Sequence, residues 1–418
     1  MEDMATHNGG LKLDGDGADQ LLLHLDDLKA VSAIVVNGGM TAAAQALGKS
    51  GSALKRAVAE VEQALGLTLL ERRRGAVSAT AAGQALLARF ERIEAEISGA
   101  LADLNPSRGA SSAALRRLLY SGRKLRLLIH LADEGTVSGA AGMLGVTQSG
   151  ASMALSRIEE TIGVALFHRR VHGVFPTDAA ACLVLRAQRI RAELRHALSD
   201  ITSLAGHPSG TTVIGTLPMA RAAILPRAIG NCLDAWPHVR VQVVEAQREA
   251  LLAQLRSGQI DAVLAARSAH FDPRGLISEP VFSDRLAVFA APGHPLAGKA
   301  RVSLRELASA KWILPLTNAV SRSLFDQQFR KRGLRPPTPL VQTGDLLIIR
   351  PLLARGDMLA FTSLSLVQTE LDAGMVARID VEMDELGRNI VLLQREAAHL
   401  PASAHRLMQA IRTVAAAP

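Results

Sequence analysis

Slid against itself by 97 positions, the chain matches its own sequence without a gap: residues 38–82 overlie 135–179, and 15 of those 45 positions are identical. The matches include Ala43/Ala140, Ala44/Ala141, Leu47/Leu144, Gly48/Gly145, Ser52/Ser149, Glu62/Glu159, Gly66/Gly163, Leu69/Leu166, Arg72/Arg169 and Thr80/Thr177. Self-similarity at a fixed offset over such a stretch marks a duplicated folding unit. The chain must therefore hold this unit twice, and its 418 residues exceed one ordinary domain.

In the second copy, Leu125, Leu128, Ile129 and Leu131 predict a helix over Lys124 to Glu134, and the small-residue run Ser138 to Leu144 predicts another that stops at Gly145. Thr147 is placed to N-cap a third helix running to Ile162, with Ala151, Leu155 and Ile158 as its buried stripe. A helix, a glycine turn and a capped helix make a helix-turn-helix. After Gly163 the alternating stretch Val164 to Thr177 predicts a two-stranded wing.

The exposed face of the third helix fits a DNA major groove. Gln148 can pair bidentately with adenine, Ser149 and Ser152 offer short donors, and Arg157 offers charge to the phosphate backbone. The wing adds Arg169, Arg170 and His172. A merely solvated face would carry similar residues; the turn and wing in register favour DNA. The first copy has Gly51 in place of the glutamine and Lys55 in place of the second serine, but keeps Ser52 and carries Lys49, Arg56, Arg72, Arg73 and Arg74. That exchange favours phosphate contact over base reading. The alternative for this copy is a packing module without DNA contact.

Composition bounds the rest. The net charge is +8, spread as +6 over residues 21–205 (22 basic, 16 acidic), +6 over 206–418 (24 basic, 18 acidic) and −4 over the first 20 (1 basic, 5 acidic). Charge therefore fits a polyanion partner without locating it. Aromatic residues are only 3%, with 2 Trp and 1 Tyr, which argues against stacking platforms for single strands. Cys182 and Cys232 stand apart with no metal-ligand spacing and read as buried free thiols, a redox sensor being the alternative. No apolar run approaches a membrane span and no export signal opens the chain, so a cytoplasmic location is expected, with no membrane partner. There is no nucleophile elbow, phosphate loop, metal cluster or spaced carboxylate pair, so no enzyme, metal or cofactor is expected.

Both copies run into helical stretches, Thr80 to Leu104 and Thr177 to Gly206, and the first is followed by a Ser/Ala/Gly-rich connector. From Thr211 the pattern changes to short β-rich runs alternating with helices, as in a parallel α/β sheet. Ligands of such sheets bind at strand carboxyl ends, where helix N-termini favour anions. Thr216 and Arg221 fall at one such end, and Thr317, Ser321 and Arg322 at another. Together they predict a small organic anion as ligand, a neutral sugar being the alternative and surface arginines the plain reading. Asp345 is placed to N-cap a helix running to Arg355.

The stretch Gly135 to Arg170, with its paired alanines, T-Q-S-G-A-S and I-E-E-T-I-G-V-A-L-F-H-R-R, resembles the winged helix-turn-helix of LysR-type transcriptional regulators. Met153 departs from the Arg or Gln common there. Ile214 to Thr216, Leu225 through Val241, Leu255 to Val263, His294 to Ala297 and Leu352 to Phe361 resemble the effector domain of the same family. The resemblance implies α+β and α/β architecture: two all-α winged helix-turn-helix domains followed by a two-lobed periplasmic-binding-protein-like α/β effector domain. The expected division is an acidic tail at 1–20, a first head and linker helix at 21–104, a connector at 105–122, and a second head and linker helix at 123–205. The effector domain follows at 210–418, with lobe I near 210–284 and 384–418 and lobe II near 285–383.

The resemblance further implies a sequence-specific regulator of double-stranded DNA whose small-molecule effector changes the angle between lobes. Thr216 and Thr317 resemble positions near the inter-lobe cleft. A homodimer or homotetramer is implied, its linker helices pairing between subunits through Leu183, Leu185, Ile190, Leu194, Leu198 and Ile201, with RNA polymerase as a further partner. A solute-binding protein or enzyme on the same lobes is the alternative, and it leaves the two helix-turn-helix copies unexplained.

Overall fold

The structure, a computed structural model, describes residues 17–73, 76–104, 112–171, 173–217, 224–267, 272–384 and 386–416. Its first head consists of α1 (Gly17–Leu23), α2 (Leu25–Val36), α3 (Met40–Leu47), α4 (Gly51–Leu65), the hairpin β1 (Leu70–Arg73) and β2 (Ala76–Ala79), and the long α5 (Ala81–Asp103). The second repeats the order with α6 (Ser112–Leu119), α7 (Gly122–Glu134), α8 (Val137–Leu144), α9 (Gln148–Ile162), β3 (Phe167–Arg170), β4 (Gly173–Pro176) and α10 (Asp178–Thr202). The repeat therefore extends upstream of the matching stretch, to α1 and α6. The segment read as an acidic tail becomes helical at Gly17, and the stretch read as a connector contains α6 and the start of α7. Their leucines explain this: Leu21, Leu22, Leu115, Leu118 and Leu119 are all buried.

The identities between copies have local causes. Ser50 and Thr147 cap α4 and α9 by accepting from the amides of Ala53 (3.2 Å) and Gly150 (3.1 Å). Glu62 and Glu159 each reach from these helices to the strand that follows, accepting from the amides of Leu69 and Leu166 at 2.7 Å in both cases. Gly145 ends α8 with φ 65°, a left-handed conformation that glycine adopts without strain.

After α10 the C-terminal domain contains β5 (Gly210–Thr216), α11 (Ile224–Ala235), β6 (Val239–Glu245), α12 (Arg248–Ser257), β7 (Ala262–Ala266), β8 (Leu276–Ala290), α13 (Leu304–Ala308), β9 (Lys311–Leu314) and α14 (Val320–Lys331). It is completed by β10 (Val341–Gln342), α15 (Leu346–Leu353), β11 (Met358–Ser363), α16 (Gln368–Asp372), β12 (Ala377–Ile379), β13 (Leu386–Arg395) and α17 (Ala402–Ala416). The strands run in the order β10-β9-β11-β8-β13-β7-β5-β6, with β12 also on β8. β8 and β13 are long antiparallel strands that pass between two cores. One lobe buries Ile214, Leu264, Leu392 and Leu407; the other buries Trp312, Phe325, Phe329 and Phe361, with ring centroids 4.9 Å apart for Trp312/Phe325 and Phe325/Phe361. Among the described residues no helix is long and apolar enough to cross a membrane.

The linker helices correct one expectation. The α10 helix read as pairing between subunits packs along α5 of the same chain, and Leu183, Ile190 and Leu194 of its stripe are 0% exposed within the core shared by the two heads. An amphipathic stripe records only that something covers it.

Candidate nucleic-acid interface and effector cleft

In the second head Gln148 and Ser149 stand exposed at the start of α9, just past the Thr147 cap, and Arg157 is exposed farther along the same helix. Ser152 is half-buried and its hydroxyl accepts from Arg169 Nη2 at 3.0 Å, so Ser152 aims the wing arginine. Gln148, Ser152, Arg169, Arg170 and Thr136 line one groove of about 510 Å³ between helix and wing. Arg170 also lies over the Phe175 ring, 5.6 Å from its centroid. The wing is seated by Val174, whose amide donates to the Gly135 carbonyl at 2.7 Å. A Cβ on Gly173 would stand 2.4 Å from that carbonyl oxygen, so only glycine permits the approach. Thr136 and Met153 were not singled out by their residue chemistry: Thr136 caps α8 beside the groove, and Met153 is 58% exposed on α9. His172 lies outside the described residues.

In the first head Ser52, Lys55 and Arg56 are exposed on α4, and Arg72 is exposed on β1. Arg56 lies 3.8 Å from Glu60, a solvated helix pair that leaves the guanidinium accessible. Lys49 is engaged with Asp26 at 2.8 Å and is no longer a free phosphate ligand. Arg73 has its backbone in β1; its side chain and all of Arg74 lie outside the described residues.

In the effector domain, the carboxyl ends of β5, β6, β7, β9 and β11 converge on the middle of β8 and β13. Thr216 closes β5, 1% exposed, and its hydroxyl donates to the Leu217 carbonyl at 3.1 Å. Thr317 is exposed after β9. Arg322 does not serve as a free cation: it is 8% exposed, its Nε donates to Asp326 Oδ1 at 2.8 Å, and Ser321 beside it is 4% exposed. Arg221 lies outside the described residues. Asp345 caps α15 by accepting from the Leu347 amide at 2.9 Å, but that helix ends at Leu353.

Two arginines not singled out from the sequence converge here instead. Arg388 on β13 donates to Asp284 of β8 at 2.9 Å, and Asp284 also accepts from Ser363 (2.5 Å) and Ser365 (2.9 Å) of the second lobe. Half-buried Arg248 opens α12 at the carboxyl end of β6; burial first, and then the positive charge of Arg388, hold its guanidinium below the ordinary value against the pull of Glu249. A cation penalised by burial and by a like neighbour gains from an anion between them. Cys182 is half-buried and donates to Asp103 at 3.3 Å; burial and that carboxylate push its thiol up to about 11, away from the thiolate a redox sensor needs. Cys232 is 2% exposed.

Comparisons with known proteins agree on both halves. The model of the bacterial regulatory helix-turn-helix protein, lysR family, matches twice, over residues 25–84 and 123–181, and the LysR substrate binding domain matches residues 205–416. The HTH-type transcriptional regulator GalR of Pseudomonas putida is 32% identical over 396 residues, 95% of this chain and 98% of its own. GbpR of Azospirillum brasilense is 26% identical over 59% of this chain and 72% of its own. Among solved structures, ArgP from Mycobacterium tuberculosis aligns with TM-score 0.53 and 16% identity over 70% of this chain and 96% of its own, and a full-length OxyR variant from Pseudomonas aeruginosa with 0.52 and 21% over 69% and 97%. At those identities the solved chains establish the fold, and nearly all of each is accounted for while part of this chain has no counterpart in them.

Proposed function

The chain belongs to the LysR family of bacterial transcriptional regulators, DNA-binding proteins controlled by a small-molecule effector, and from that premise we propose how its own residues divide the work. Gln148 and Ser149 read bases, Ser152 positions Arg169 on the backbone, and Thr147, Arg157 and Arg170 support that head. Ser52, Lys55, Arg56, Arg72, Arg73 and Arg74 grip phosphates from the first head. The observation that carries this is the groove shared by Gln148, Ser152 and Arg169 at the open end of a capped helix. The chain acts in the cytoplasm on double-stranded DNA, with RNA polymerase as a downstream partner and copies associating through their effector domains rather than their linker helices.

Replacing Gln148 with alanine should cost about 1–3 kcal/mol at the preferred base and leave non-specific affinity nearly intact. Anisotropy titrations on operator and random duplexes check it. Equal weakening on both would remove Gln148 from base reading.

The effector in this proposal is a small organic anion held between the lobes. Thr216 and Thr317 border the site, and Arg248, which the neighbouring charge of Arg388 disfavours, takes the role first sought in Arg221 or Arg322. Arg248→Ala should weaken binding of the anion roughly 10- to 100-fold, the worth of one charge-assisted hydrogen bond. Calorimetric titration with a panel of carboxylates and sugars decides: tight sugar binding untouched by Arg248→Ala would end the anion reading.

A further inference from the structure

The charged clamp between the linker helices occurs twice, at positions 97 apart. Arg89 of α5 donates to Glu193 (3.0 Å) and Asp200 (2.6 Å) of α10; Arg186 of α10 lies 2.7 Å from both Glu96 and Asp103 of α5. Adding 97 to 89, 96 and 103 gives 186, 193 and 200, so each helix offers the other the same arginine and the same two carboxylates. Only a two-fold relation between the copies produces this reciprocity. The flanking helices obey it too: α1 of the first copy packs on α10, and α6 of the second packs on α5.

At these outer contacts the charges are reversed. Arg191 of α10 donates to Asp19 of α1 at 3.2 Å, whereas at the equivalent place Glu94 of α5 faces Arg116 of α6 at 3.9 Å and also accepts from the Tyr120 hydroxyl. Position 19 corresponds to 116 and position 94 to 191. Two first copies brought together would set Asp19 against Glu94, twice by symmetry, and two second copies would set Arg116 against Arg191. The clamp alone does not discriminate, because both copies carry it; the reversed pair does, by placing like charges in every pairing of like copies. Eight residues, 104–111, join α5 to α6, which keeps the unlike partner at high effective concentration.

We propose that the two heads pair within one chain as a pseudo-two-fold unit, that the reversed charges reject pairing of like copies between chains, and that a single chain thereby presents both halves of an unequal operator. The last clause rests on the DNA-reading roles proposed above; the pairing does not. Identical heads on a two-fold axis match palindromic sites. Unlike heads match a site with one half read through Gln148 and Ser149 and the other gripped through Lys55 and Arg56.

The test uses the full chain with Glu94→Cys and Arg116→Cys in a Cys182→Ser background, bridged in dilute solution by a short bis-maleimide and read by denaturing electrophoresis and peptide mass spectrometry. A product of single-chain size joining positions 94 and 116 is expected. A product of two chains, or no bridge between these positions, overturns pairing within the chain. Asp19→Arg should cut the bridged yield severalfold and Arg191→Glu in the same chain should restore it; a yield indifferent to both overturns the charge code. Bridging needs no DNA, so a chain that bridges but binds no duplex refutes the DNA roles alone. If DNA binding holds, the bridged chain should protect both half-sites; protection of only one would overturn the two-half reading.

Discussion

Asp261→Ala should destabilise the effector domain by about 3–5 kcal/mol, as expected when one partner of a buried ion pair is removed and the other charge is left without compensation. Asp261 is 2% exposed at the start of β7 and accepts four hydrogen bonds: from Arg195 Nη1 (2.8 Å) and Nη2 (2.7 Å), from His196 Nε2 (2.8 Å) and from the Val213 amide (2.8 Å). Arg195 and His196 belong to α10, Val213 to β5, so one carboxylate joins the linker helix to the first lobe. Urea unfolding of wild type and variant measures the loss. A change below about 1 kcal/mol, the worth of a solvated pair, would show that this junction carries little.

The same cluster fixes a pH dependence. Burial would raise the Asp261 carboxyl, but Arg195 first and His196 after it hold it far below the usual carboxylate range. His196 is fully buried, and burial pushes its imidazole below its ordinary 6.5 although Asp261 pulls the other way. Its Nδ1 has no hydrogen-bond partner among the described residues, which assigns the proton to Nε2 facing Asp261. Both groups bind protons less readily folded than unfolded, so both contributions are complete above their unfolded values and are lost as pH falls. Melting temperatures should hold steady above about pH 7, decline below about 6.5 as unfolded histidine gains protons, and decline further below about 3.8. A histidine substitution that abolishes the first decline would assign it; stability that rises on acidification would contradict the scheme.

The other large effect belongs to the first head. Each phosphate that the protein ceases to neutralise should reduce the slope of log affinity against log salt by about 0.9, so replacing Lys55, Arg56 and Arg72 together with alanine should flatten it by up to about 3 units on any duplex. All three are exposed, and Gly51 stands where the second head has Gln148, which is why the proposal gives this head phosphate contact rather than base reading. Gln148→Ala should leave the slope unchanged. If the triple variant also leaves it unchanged in a folded protein, the first copy only packs.

How far the sequence reached depended on whether a residue's partner was local. Thr147, Gly145, Gly163 and the Glu62/Glu159 match stand for caps, turns and a helix-to-strand hydrogen bond within a few residues, and periodicity reached them. Leu183, Ile190 and Leu194 are covered by the core of the two heads, most of it distant in the chain, and a stripe does not name its cover. A signal existed: sliding the linker charges by the same 97 positions aligns Arg89 with Arg186 and Glu96 with Glu193. Arg322 was also legible, since Asp326 four residues on is a helix ion-pair spacing. Arg248 was not, because its meeting with Arg388 joins chain positions 140 residues apart.

That two unlike heads of one regulator both rest on DNA is tested most directly by nuclease protection, with the full chain on the DNA flanking its own gene. Two protected segments, spaced by one helical turn of about 34–36 Å or a multiple of it, are predicted. Gln148→Ala should relax the sequence preference of one segment, and the Lys55, Arg56 and Arg72 alanine variant should shorten the other. A single protected segment, the same length in wild type and in the first-head variant, would contradict two working heads.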